Sequence, residues 1–157
     1  MIGTRRTALL ALGLAVLAAG CDLLPAPFRA PQPSASPPTT VEAARRAWLA
    51  AGIKDYNARI SLGCVCTVTG TYEVSVEGGV ATRVVNDGEA IGPDDDAMGL
   101  LTIDGIFQAA LDTEQTGRAM GAWDPRTGAP VTLTLDPGLN GDDDEVHIEV
   151  ERIGPAT

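Results

Sequence analysis

Two thiols sit one residue apart in "SLGCVC", residues 61–66, in a chain with three cysteines in all. Cys64 and Cys66 have four possible fates: a disulfide, a dithiol redox couple, reduced core thiols or metal ligands. On a regular strand, residues two apart lie about 6.6 Å apart at Cα with parallel side chains. A disulfide needs Cβ atoms roughly 3.5–4.5 Å apart, so bridging this pair takes a bulge or bend, which Gly63 permits. Zinc takes four ligands, and the chain has a single histidine. Thiols of dithiol oxidoreductases are acidified at a helix N-terminus, and the pattern here is that of a strand. Outside the cytoplasm an oxidising environment favours pairing. A strained bridge of this kind is easily reduced, which keeps a thiol redox or sensor role as an alternative.

Oxygen ligands are more abundant. Asp94, Asp95 and Asp96 share one loop, and Asp136, Asn140, Asp142, Asp143, Asp144 and Glu145 crowd another. Calcium takes six to eight oxygens, and an EF-hand needs a bidentate Glu at its twelfth position. "DPGLNGDDDEVH" has Gly138 at its third position and His147 at its twelfth, and it joins two predicted strands. A calcium-dependent module built on residues 136–145 is therefore the weaker alternative, beside acids that are solvated or cap backbone N–H groups. His147 alternates with acids on an outward strand face. No nucleophile elbow, phosphate loop or metal-binding histidine motif occurs. The residues point away from an enzyme and require no cofactor.

The third cysteine carries a clearer message. Arg5 and Arg6 precede an apolar run from Ala8 to Ala19, too short to span a membrane. This is a secretory signal pattern. It closes on "LAAGC", which resembles the lipobox of bacterial lipoproteins. That resemblance implies cleavage after residue 20 and acylation of Cys21, palmitate among the acyl groups. Each buried methylene contributes about 0.8 kcal/mol, so two or three chains hold firmly. Residues 21–40 then form a tether, with six prolines in the nineteen residues after Cys21; such a stretch is extended and cannot bury a core. Removing Arg5 and Arg6 leaves nine basic residues against twenty-one acids, a net of −12 for residues 22–157. That charge repels nucleic acid and anionic headgroups, so the anchor has to be lipid. The expected location is the extracytoplasmic face of the cell membrane.

Residues 41–157 suffice for one domain with a single core. Thr39 and Glu42 have capping-box spacing; Val41, Ala44, Trp48 and Ala51 share a face, and Gly52 stops the helix, predicted over 40–51. The period then becomes two, with Tyr56, Ala58, Ile60, Leu62 and Cys64 on one face. Tyr72, Val74 and Val76 alternate with acids and Ser75. Gly78 and Gly79 make a two-residue hairpin turn, and Val80 to Val85 returns. Residues 86–99 read as loop. Thr102 caps a second helix carrying Ile103, Ile106, Phe107, Ala110 and Leu111, which Gly117 ends. A strand reaches Trp123, "DPRTG" turns at Pro125, Val131, Leu133 and Leu135 face inward on the fifth strand, and Val146, Ile148 and Val150 on the sixth. The order α-β-β-β-α-β-β-β predicts an α+β two-layer sandwich: about six antiparallel strands with two helices on one face. The repeated half-order hints at duplication.

"AWLAAGIKDY", the Cys-x-Cys pair, "YEVSVEGGV", "TIDGIF", "WDPRTGAP" and "DDDEVHIEV" together resemble a bacterial lipoprotein-associated family, DUF6174, from about Trp48 to Val150. Trp123 stands where a tyrosine is usual, and Ala129 where an aromatic is frequent. The family implies no activity. The expectation is a membrane-anchored, non-catalytic binding or envelope-associated module.

Overall fold

Among the described residues two helices and seven strands form, all but the strand Glu89–Ala90 from the alternations above. The computed structural model describes residues 36–64, 69–92, 99–138 and 144–156. The elements are α1 (Val41–Ala51), β1 (Tyr56–Cys64), β2 (Gly70–Glu77), β3 (Val80–Asn86), β4 (Glu89–Ala90), α2 (Ile103–Thr113), β5 (Arg118–Trp123), β6 (Pro130–Asp136) and β7 (Val146–Pro155). They form a mixed α+β fold with one open sheet of order β4-β3-β2-β1-β7-β6-β5, antiparallel at every pairing. Among the described residues no helix is long and apolar enough to cross a membrane.

Helix α1 starts one residue later than the capping-box spacing suggests. Thr40 is the N-cap, and its hydroxyl accepts from the Ala43 N–H at 3.2 Å. That phase buries Val41, Ala44 and Trp48 together. Gly52 ends the helix at φ 66°, the left-handed conformation that glycine adopts without strain. Thr102 caps α2 as expected, its hydroxyl taking the Gly105 N–H at 3.0 Å. Gly117 does not stop α2, which ends at Thr113 with Glu114 in a right-handed cap. It is needed for a different reason: a Cβ there would lie 2.0 Å from the Asp136 carbonyl oxygen.

The Gly78–Gly79 turn forms as predicted, with φ of 59° and 84°. Residues 86–90, expected as loop, make a second hairpin. Asp87 and Gly88 have φ of 50° and 87°, and Asn86 pairs with Glu89. Asp-Gly is among the strongest two-residue hairpin signals, and it supplies the seventh strand. Val131 also departs from expectation. The register of β5 against β6 shifts between Ala122 and Trp123, so Trp123 pairs with Pro130 and Ala122 with Thr132. Val131 is the extra residue of that bulge and is exposed, while Pro130 and Leu133 point inward. A second bulge, at Glu151 of β7, turns both Val150 and Ile153 toward the core side.

The duplication hint fails on topology. The first half places its first strand, β1, at the sheet centre, whereas the second places its last, β7. A rotated repeat would put equivalent strands there.

One apolar cluster joins both helices to a single sheet face, so the expected two layers are present. Its centre is Tyr56. The ring meets Trp48 of α1 edge-on, with centroids 5.6 Å apart and planes at 87°. Its hydroxyl accepts the Ile103 N–H, the first amide of α2, at 2.9 Å. Burial pushes the phenol pKa up to about 12 from 10.0, opposed by the hydrogen bond from Ile103 and reinforced by the Asp104 charge. On the other flank Phe107 of α2 stacks on Trp123 at 5.6 Å. The turn after Trp123 docks on α1 through Gly128, where a Cβ would meet the Ala44 carbonyl at 2.3 Å. Asp124 holds that turn, its Oδ1 accepting from the Arg126 N–H, the Thr127 N–H and the Thr127 hydroxyl. Burial would raise the Asp124 carboxyl, but these bonds and the Arg126 charge outweigh it and hold it below its ordinary value.

Tyr56→Phe leaves the Ile103 amide buried without an acceptor. The expected loss is roughly 1–2 kcal/mol, or about 5–10 °C in Tm. Because the folded phenol loses its proton at higher pH than the unfolded one, its contribution is complete below pH 10 and disappears toward pH 12. Thermal melts across that range should show a steep loss in the parent chain and a shallower one in the variant.

Candidate functional site

Polar residues concentrate on the sheet face that the helices leave uncovered. Registers across β5, β6, β7 and β1 align Met120, Thr134, His147 and Gly63 in one row, and Ala122, Thr132, Glu149 and Ser61 in the next, with Thr71 of β2 beyond Ser61. Gly63 has no side chain and Ser61, Thr132 and Thr134 have short ones, so the rows leave a hollow of about 420 Å³ rimmed by Met120, His147 and Glu149. A second hollow of about 310 Å³ lies over Thr71, Glu73, Val85 and the Asp87–Gly88 turn, with Arg59 on its wall.

A charged ladder separates the two. Arg59 Nε lies 2.7 Å from Glu151 Oε2, and its Nη1 lies 3.5 Å from Glu73 Oε1. The Ser61 hydroxyl donates to Glu151 Oε1 at 2.8 Å and shares a 2.9 Å hydrogen bond with Thr71. The β7 bulge makes this ladder possible by offering Glu151 to both partners. Such half-exposed ion pairs set orientation more than stability.

His147 is more connected than its sequence position suggests. Its Nδ1 meets the Thr134 hydroxyl at 3.1 Å and its Nε2 lies 3.5 Å from Glu145 Oε2. Hydroxyl, imidazole and carboxylate stand in the order used for nucleophilic catalysis. The chemistry is incomplete, however. The imidazole side chain is 61% exposed and the carboxylate is beyond hydrogen-bond reach. Strand N–H groups run within the sheet plane, so among the described residues this face offers no converging oxyanion donors of the kind acyl transfer uses. Thr134 was not identifiable from the sequence; its only signal is a position opposite His147 in a register set by bulges.

Of the sequence-derived candidates, Cys64, Asp136, Asp144, Glu145 and His147 fall within the described residues. Cys64 ends β1, half-buried on the side opposite His147, with Val146 as its cross-strand neighbour. It is not free but has a partner. The bend allowed by Gly63 is not there: β1 stays paired with β7 through Gly63 and Cys64, and its irregularity lies at Arg59/Ile60. Cys21, Cys66, Asp94, Asp95, Asp96, Asn140, Asp142 and Asp143 lie outside the described residues. Of the remaining acids, Asp136 pairs with Arg118 at 3.3 Å and accepts the Gly138 N–H, and Glu145 faces His147. Asp144 is half-buried. Among the described residues no three His, Cys, Asp or Glu side chains converge to hold a metal ion.

A model described as a family of unknown function, DUF6174, matches residues 40–155, and the chain belongs to that family. The matched span runs from the N-cap of α1 to the last residue of β7, wider at both ends than the quoted phrases. No curated protein and no solved structure matches the chain.

The hollow, not the backbone, is what Gly63 serves. A Cβ there would find only the His147 Cβ, at an ordinary 3.8 Å. Gly63→Val is therefore expected to fold with unchanged or higher Tm, gaining up to about 1 kcal/mol from strand propensity. Gly117→Ala, which meets backbone, should melt lower. Parallel thermal melts compare them.

Proposed function

We propose that this DUF6174 chain is a lipid-anchored extracytoplasmic module that displays a small acidic α+β domain for binding, without catalysis of its own. The observation that carries this reading is the succession at the N-terminal side: a basic and apolar leader, "LAAGC", a proline-rich stretch, then a helix cap at Thr40. Nineteen residues separate Cys21 from the end of that stretch. Extended as polyproline, they reach about 60 Å, enough to hold the domain clear of headgroups that its negative charge repels.

On this reading the cysteine chemistry divides by position. Cys21 takes acyl chains, and Cys64 pairs with Cys66 outside the cytoplasm. Two things support the pairing: Cys64 is not free but has a partner, and the chain has one other cysteine once Cys21 is acylated. The uncovered sheet face, with two hollows flanking the Arg59–Glu151 ladder, is the surface a binding partner would meet.

Two experiments test the parts separately. Cys21→Ala should move the protein from the detergent phase to the aqueous phase on temperature-induced phase separation. A protein that partitions identically with and without Cys21 contradicts the anchor. Alkylation of the denatured chain should label no cysteine before reduction and two after it. Two labels before reduction would contradict the bridge.

A further inference from the structure

The two edges of the sheet are unlike. One ends in β4, only two residues long, behind a turn carrying Asp87 and beginning with Glu89. It is short and doubly acidic. The other ends in β5, six residues of sequence RAMGAW. An edge strand offers unpaired N–H and C=O groups to another chain, and proteins blunt this with proline, lysine, brevity or a cover. β5 contains no proline, no lysine and one charge, Arg118. Arg118, Met120, Gly121 and Ala122 are all exposed, Met120 by 52%.

The geometry points to β5 as a self-pairing edge: two copies of this chain join β5 to β5, antiparallel and centred on Gly121, into one continuous sheet. The register follows from the side chains. Pairing about Gly121 sets Arg118 opposite the partner subunit's Asp124, Met120 opposite the partner subunit's Ala122, and repeats both by symmetry. The Arg118 side chain is 72% exposed and, among the described residues, pairs with Asp136 at 3.3 Å. Asp124 follows the last residue of β5; among the described residues its Oδ1 accepts from its turn and its Oδ2 faces the Arg126 guanidinium at 3.8 Å, with the side chain 27% exposed. A long apolar chain meets a small one at Met120 and Ala122, as cross-strand pairs favour. Shifting the axis to Met120 sets Arg118 against Ala122 and leaves the charges without partners. Shifting it to Ala122 sets Met120 against Asp124. The Gly121 register alone pairs charge with charge and apolar with apolar while keeping both copies' helices on the same side. The formal net charge of −10 repels two copies at a distance, so the attraction is local to this edge.

Sedimentation of the full chain in detergent at physiological ionic strength tests the contact, with cysteine crosslinking to fix its register. The expected result is a concentration-dependent dimer that Arg118→Glu weakens by about ten-fold or more while the monomer stays folded. Met120→Cys with Ala122→Cys should give an oxidation-dependent crosslinked dimer above the wild-type background, and Met120→Cys alone should not. Three results overturn the inference: a monomer at every attainable concentration, a dimer indifferent to Arg118→Glu, or crosslinking by Met120→Cys alone, which would place the axis elsewhere.

Discussion

The phenol of Tyr56 is where the two layers meet. A helix begins with N–H groups that have no partner within it. In α2 the first of these, on Ile103, is buried, and the Tyr56 oxygen accepts it. The same ring carries Trp48 on its edge. One side chain at the start of the central strand β1 therefore fixes the position of both helices. Everything else in the apolar layer can be satisfied by approximate shape, since apolar contacts are non-directional. This contact cannot, because an unpaired buried donor is expensive and a hydrogen bond has a direction. The pushed-up phenol pKa is the electrostatic image of the same burial.

Bulges do for the outer face what Tyr56 does for the inner one. The extra residue at Glu151 brings one carboxylate against both Arg59 and Ser61. The extra residue at Val131 lets Trp123 reach Phe107 while β6 continues in register. The helices claim one face for the core, and the other is left as a polar surface with two hollows and little else to define it. Membership of DUF6174 accounts for the extent of the domain. The proposed anchor and binding roles rest on the leader sequence and on this uncovered face.

Much of the fold was legible because period and punctuation agree. The alternation from Tyr56 to Leu62, the Gly78–Gly79 turn and the Thr102 cap are local signals, each with its own physical cause, and each formed as read. What was missed was longer in range or overruled locally. The Asp87–Gly88 hairpin lay inside an acidic stretch whose composition suggested loop. Val131 followed the alternation rule but sits in a bulge, and a bulge depends on what the neighbouring strand does. Gly117 looked like a helix stop and is instead a close approach between backbones distant in sequence. The Thr134–His147 contact depends on registers that a single strand does not carry, so no reading of His147 by itself would find it.

Hydrogen exchange at one amide tests the keystone directly. The Ile103 N–H occupies the first position of a helix, where amides ordinarily exchange fast for want of an intrahelical partner. If Tyr56 holds it, this amide exchanges only when the whole domain opens, as slowly as the amides at the centre of β1. Exchange of Ile103 at the rate of a solvent-exposed loop amide would contradict the Tyr56 contact and, with it, the account of how the helices are fixed to the sheet.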